Sequence, residues 1–120
     1  MIRVKRVYDP PSLQDGLRVL VTTFWPRGVR KTSVDQWIKA LGTPKPLLND
    51  YRHGALSFEA FAAEYRKFLK GEQQQKEITR LVDWAKAGDL TLLTSFRDLE
   101  HSHVIILRNV VEEQLTRTAP

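Results

Sequence analysis

No cysteine occurs among the 120 residues, which excludes disulfides, thiolate nucleophiles and cysteine-bound zinc or iron–sulfur centres. Long apolar runs are missing too. Stretches such as Val104–Leu107 span only a few residues, against the roughly 20 that a membrane helix needs. The opening residues, Met1-Ile2-Arg3-Val4-Lys5-Arg6, alternate apolar and basic side chains and hold no signal-peptide apolar block, so a cytoplasmic location and no membrane partner are expected. Several motifs of catalysis are also absent: the phosphate-cradling Gly-x-Gly-x-x-Gly, the Walker loop, His-Glu-x-x-His and the nucleophile elbow Gly-x-Ser-x-Gly. What remains is ordinary for a globular chain. Apolar residues make up 42% and charged residues 28%, which excludes a disordered chain, a collagen-like repeat and a coiled-coil rod. The length predicts one domain over residues 1–120.

The net charge of +5 is unevenly spread. Residues 1–31 carry seven basic side chains (Arg3, Lys5, Arg6, Arg18, Arg27, Arg30 and Lys31) against Asp9 and Asp15, while the remainder is balanced. Folded into one surface, that quarter would attract phosphates, nucleotides or nucleic acid. The alternative is a solvated basic face that aids solubility.

Periodicity sketches the elements. Ile2–Tyr8 reads as a strand with one basic side, stopped by Asp9-Pro10-Pro11-Ser12. Asp15-Gly16 is a turn, and Leu17–Thr23 a strand covered on both faces. Residues 33–41 fit either a helix or a third strand through Gln36–Ala40. Pro46–Tyr51 predicts a short helix with proline at its start. Ser57 predicts the N-cap of a helix to about Lys70, with Phe58, Phe61, Ala62, Tyr65, Phe68 and Leu69 on one stripe. Glu72–Ala87 repeats the pattern up to Gly88. Leu90–Ser95 reads as a buried strand, and a last helix is expected from Asp98 or Leu99 to about Thr116. This order predicts an α/β domain with a mostly parallel sheet flanked by helices. The first two strands are expected to be either antiparallel or at opposite positions in the sheet.

Ligands in open α/β sheets bind where loops leave the carboxyl ends of strands. Trp25-Pro26-Arg27-Gly28 follows the second strand. Its proline and glycine would hold the Arg27 guanidinium at the sheet edge, ready for a carboxylate or phosphate, with Trp25 either stacking on a planar ligand or packing in the core. Asp98-Leu99-Glu100-His101-Ser102-His103 follows the last strand and offers acid and imidazole groups for proton transfer. Helical spacing turns His101 and His103 about 200° apart, so they cannot share a metal if both are helical, and no metal site is assigned. His103 then falls on the core side and His101 on a mixed or solvent-facing side. Structural roles compete: an N-cap for Asp98, a first-turn charge for Glu100, a hydrogen-bonded core side chain for His103. His53, beside Gly54, adds a weaker signal.

Taken together, Ile2-Arg3-Val4-Lys5-Arg6-Val7-Tyr8-Asp9, Asp15-Gly16-x-Arg18-Val19-Leu20-Val21, Phe24-Trp25-Pro26-Arg27-Gly28-Val29 and Asp98-x-Glu100-His101-x-His103 resemble the YeaO-like branch of the family called domain of unknown function 488. The resemblance covers nearly the whole chain. It implies a small cytosolic bacterial or archaeal α/β protein and brings no established activity or cofactor. The chain departs from the family pattern twice. Thr22-Thr23-Phe24 stands where the family usually has Asp-Arg before Leu-Trp-Pro-Arg-Gly, and Glu100-His101-Ser102-His103 where it usually reads Glu-His-Asn-His. Arg6, Tyr8, Arg18, Arg27, Asp98 and His101 remain, which still allows an anion site.

Three functions follow as expectations. The first is an anion- or nucleotide-binding protein, whose ligand is a phosphate-bearing small molecule held by Arg6, Tyr8, Arg18, Trp25, Arg27 and Gly28. If it is an enzyme, Asp98, Glu100 and His101 would move protons. The second is a nucleic-acid-binding accessory protein using the basic quarter. The third is an interaction module or homo-oligomer presenting Trp37, Trp84 or Phe96.

Overall fold

The structure, a computed structural model, describes residues 1–118 and leaves the last two residues of the expected domain outside that span. Its centre is a four-stranded, all-parallel sheet in the order β1-β4-β2-β3, formed by β1 (Ile2–Arg6), β2 (Leu17–Leu20), β3 (Gln36–Trp37) and β4 (Leu90–Thr94). Every residue of β4 is buried, as its continuous apolar sequence requires of a strand covered on both faces. β4 separates β1 from β2, so those two strands are parallel and not neighbours; of the two expected arrangements the antiparallel one is ruled out. Among the described residues, α1 (Lys45–Arg52), α2 (Phe58–Leu69) and α3 (Glu72–Ala87) lie between β3 and β4, and α4 (His103–Thr118) comes after β4. The α/β class with a parallel sheet is therefore as the sequence predicts.

Strand alternation divides the sheet into two faces. Ile2, Val4, Val19, Val21, Leu90 and Leu92 pack with the helices in the larger core, to which α2 contributes Phe61, Tyr65 and Leu69, and α3 Ile78, Leu81 and Val82. Ser57 caps α2, its hydroxyl accepting from the Ala60 amide at 3.1 Å.

Among the described residues, no α-helix contributes to the apolar cluster of the other face, and the connection over it includes a 3₁₀ turn at Leu13–Asp15. That face is covered by the connection from β1 to β2 and by the loop after β2, over a small apolar cluster of Val7, Leu20 and Leu93 packed with Trp25, Val29 and Val34. The β1–β2 connection is shorter than the dozen or more residues that usually join parallel strands. Side chains of the sheet pin it. Lys5 Nζ reaches Asp15 at 3.0 Å and the Pro10 carbonyl at 2.9 Å, Arg18 Nη1 reaches Asp15 at 2.6 Å, and Arg3 donates to the Gln14 carbonyl. Thr91 of β4 donates to the Asp15 carbonyl at 2.8 Å. Burial raises the Asp15 pKa, but hydrogen bonds from Lys5, the Ser12 amide and Arg18 outweigh it and hold the carboxyl below its usual value. Gly16 then turns the chain into β2 at φ +61°, so close to Asp89 that a Cβ would overlap its carbonyl.

Element ends differ from the sequence reading for local reasons. β1 stops at Arg6, two residues early, because the Asp9 carboxylate accepts from the Arg6 amide and turns the chain. β2 stops at Leu20 because Thr22 folds back, its hydroxyl donating to the Phe24 carbonyl at 2.7 Å. The third strand shrinks to Gln36–Trp37, followed by a 3₁₀ turn over Lys39–Leu41. α4 starts at His103 rather than Asp98 or Leu99. Leu99–His101 forms its own 3₁₀ turn, and Ser102 is extended at φ −106° and ψ 164°.

Candidate functional site

A cavity of about 240 Å³ opens at the carboxyl ends of β2 and β4, bounded by α1 and by His103 at the start of α4. The topology dictates its position, since loops leaving adjacent parallel strands diverge there. Its floor is polar and buried: Thr22 after β2, Thr43 before α1, Thr94 at the end of β4, and His103. Phe24, Trp25, Leu48 and Phe96 supply apolar wall. Exposed Lys45, Asn49 and Arg52 line the α1 side. No lining residue is acidic, and neither Lys45 nor Arg52 forms an ion pair among the described residues. The Arg52 guanidinium lies 5.7 Å from the Phe96 ring centroid, which holds it over the wall.

Two floor atoms lack partners. Thr43 Oγ1 and His103 Nδ1 are both buried without a hydrogen bond, although such groups are nearly always satisfied. His103 Nε2 lies 2.5 Å from the Val21 carbonyl, which can only accept, so the ring proton sits on Nε2 and Nδ1 presents a lone pair. Burial lowers the His103 pKa to about 4, the Val21 bond only partly opposing it, and the imidazole is neutral near pH 7. Thr22 and Thr23 spend their hydroxyl protons on backbone carbonyls, of Phe24 and Thr43 respectively, each at 2.7 Å. Gly42 lets the chain leaving the Lys39–Leu41 turn lie against Thr22 and Thr23, where any Cβ would overlap the Thr23 amide.

The residues proposed from sequence distribute around this cavity unequally. Trp25 lines it, but its indole N–H is committed to the Val29 carbonyl at 2.9 Å and its ring meets Trp37 edge-on at 5.3 Å. Arg6 donates to the Phe96 carbonyl at 3.2 Å and lies over the Tyr8 ring, while the Tyr8 hydroxyl donates to the Arg27 carbonyl at 3.2 Å. These contacts tie together the loops leaving β1, β2 and β4. The Arg27 side chain is exposed and is not part of the cavity lining, and Gly28 beside it occupies φ +73° in open space. Arg18 lies elsewhere, buried on the second face of the sheet against Asp15 and the Ser33 carbonyl.

Asp98 and His101 do meet, with Oδ2 and Nδ1 2.7 Å apart, but both are more than half exposed. His101 sits in the 3₁₀ turn rather than on a helix. Its carbonyl accepts from Tyr51 at 2.8 Å and its ring packs edge-on against Phe58. Asp98 borders a groove of about 330 Å³ that shares Arg52, Ser95 and Phe96 with the cavity. Glu100 is exposed and lines neither space. Lys45 and Arg52 were not singled out in the sequence, although a signal exists. Lys45, Leu48, Asn49 and Arg52 follow the i, i+3, i+4, i+7 spacing of one helical face.

A helix-flanked, all-parallel four-stranded sheet with a basic-rimmed cavity at its carboxyl ends is an α/β architecture, and it defines the class. The particular family follows from comparison. The family described as "Inactive DUF488-N3 subclade" matches residues 1–120, and the chain belongs to it. The chain is similar to "Uncharacterized protein YeaO" of Escherichia coli (strain K12), 39% identical over 109 residues that cover 88% of this chain and 92% of that protein. It is also similar to "Uncharacterized protein Rv3073c" of Mycobacterium tuberculosis (strain ATCC 25618 / H37Rv), 32% identical over 112 residues covering 92% of each chain. No solved structure gives a significant match. No described helix is long and apolar enough to cross a membrane.

Proposed function

We propose that this protein binds a small organic anion in the cavity at the carboxyl ends of β2 and β4, and that the site binds without catalysing. The observation that carries this reading is the pair Lys45 and Arg52 on one face of α1, facing a cavity with no acidic lining residue. Two unopposed cations over a partly enclosed apolar wall attract a carboxylate or phosphate and strengthen the contact by excluding water. The volume lies below the range of about 300–1,000 Å³ for drug-sized ligands, which favours a small anion over a nucleotide.

The absence of catalysis rests on what the polar groups are doing. The Thr22 and Thr23 hydroxyls are hydrogen-bonded to backbone carbonyls rather than to a base. They stand where the family pattern has an aspartate carboxylate and an arginine cation. His103 is tethered by Nε2 and is a weak base, and the Asp98–His101 pair lies outside the cavity. The family's description as an inactive subclade agrees with this reading.

Nucleic-acid binding draws less support. The basic quarter is divided: Lys5 and Arg18 neutralise Asp15, and Arg3 and Arg6 hold backbone carbonyls, so it does not form one free surface. The interaction-module reading is weakened similarly. Trp37, although 37% exposed, is tied by its indole N–H to the Thr22 carbonyl, Trp84 lies under the Arg80 guanidinium at 4.8 Å, and Phe96 belongs to the cavity wall.

Thermal shift with phosphate, small carboxylates and sugar phosphates tests the proposal. At 100 times its dissociation constant an anion should add about 2.7 kcal/mol of stability, a shift of several degrees. The shift should vanish in Arg52→Ala and Lys45→Ala and survive in Arg27→Ala. No shift with any anion, or one that both α1 variants retain, refutes it.

A further inference from the structure

The chemistry of the cavity floor says more about the ligand than the rim does. The cations stand on the α1 side, whereas the buried end is rich in hydrogen-bond acceptors. Thr22 and Thr23 have committed their protons and offer only lone pairs. His103 Nδ1 offers a lone pair and nothing else, because Nε2 carries the proton. Thr43 Oγ1 is free to donate or accept. An anionic oxygen pushed to this floor would meet the lone pairs of Thr22, Thr23 and His103, with only the neutral Thr43 and Thr94 hydroxyls to donate to it, whereas one held by Lys45 and Arg52 would meet two cations. Phe24, Leu48 and Phe96 line the same cavity and suit a short carbon chain.

We infer that the ligand is a small polar-ended anion, its carboxylate or phosphate held by Lys45 and Arg52 and a hydroxyl or amine hydrogen at its other end donated to His103 Nδ1 and Thr43 Oγ1. This inference rests on the anion-binding reading and deepens it by naming the ligand's second group. A hydroxy acid and a polyol phosphate share the required chemistry and differ in the head group. A ligand without the donor leaves Thr43 Oγ1 and His103 Nδ1 unpaired, and binds more weakly for that reason.

Titration calorimetry on the full chain with two matched pairs is the test: glycerol 3-phosphate against propyl phosphate, and glycerate against propionate. The pairs are compared on the wild type, so the result does not depend on a variant folding. In the pair whose head group fits, the hydroxylated member should bind at least tenfold more tightly. Thr43→Val, nearly isosteric, should narrow that ratio, and Arg52→Ala should weaken both members together. Equal affinity within each pair overturns the inference and leaves the anion site standing. A wild-type preference that Thr43→Val does not change also overturns it, because the donor then lodges elsewhere. No binding by any of the four compounds overturns both readings at once.

Discussion

Removing the Asp15 carboxylate should destabilise the protein far more than breaking a surface ion pair. Asp15 is 2% exposed and accepts from Lys5 Nζ at 3.0 Å, Arg18 Nη1 at 2.6 Å and the Ser12 amide at 3.0 Å. In Asp15→Ala the Arg18 guanidinium keeps its Ser33 bond but loses its counter-charge, and its side chain is only 7% exposed. Removing one partner of a buried pair typically costs 3–5 kcal/mol. Lys5, 22% exposed, can turn partly to water, so about 3 kcal/mol is expected. Urea denaturation at pH 7, followed by circular dichroism, would measure it. Replacing the stranded cation as well, in Asp15→Ala/Arg18→Met, should recover part of the loss, the non-additivity expected of residues in direct contact. The pH dependence has a definite sign. The folded carboxyl has a lowered pKa, so its contribution is present above the unfolded value near 3.8 and disappears as pH falls through the folded value. A loss below about 1 kcal/mol, the range of exposed pairs, would refute the claim that this ion cluster anchors the β1–β2 connection.

His103 should set a second pH window, above that of Asp15. Its folded pKa of about 4 lies below the ordinary 6.5, so its contribution is present above pH 6.5 and falls by about 3 kcal/mol as pH drops toward 4. Equilibrium unfolding across that range should show the slope in the wild type and a flatter one in His103→Gln; parallel profiles would contradict it. Gly16→Ala should lose at least about 2 kcal/mol, since the residue combines positive φ with a Cβ that collides with the Asp89 carbonyl. A midpoint of thermal unfolding within a degree of wild type would show that the turn relaxes freely.

Much of the fold is legible in local sequence. The Ser57 cap, the Phe61-Tyr65-Leu69 stripe of α2, the Ile78-Leu81-Val82 stripe of α3 and the apolar run of β4 follow from side-chain period and capping chemistry, which act within a few residues. The core-side placement of His103 is legible for the same reason. The site is much less so. Arg18, Arg27 and Lys45 are alike as exposed-type cations in sequence, yet one is buried on Asp15, one projects from a loop and one faces the cavity. Only the position of each on its element, and of that element in the sheet, separates them. The Asp98-to-His103 segment misleads for a related reason: its helical spacing is broken by the extended Ser102, which leaves His101 in a separate turn.

By itself the sequence determined the α/β class, the helices, the apolar strands and the concentration of basic residues in the first quarter, because each depends on composition or on contacts a turn or a pleat apart. The tertiary structure alone decided that β4 inserts between β1 and β2, that Lys5 and Arg18 turn inward to hold the β1–β2 connection, and that Thr22, Thr43, Arg52, Phe96 and His103 surround one cavity. Those residues are brought together only when the parallel strands pair. Long-range pairing depends on the summed burial of the whole sheet, and no local window of the chain contains it.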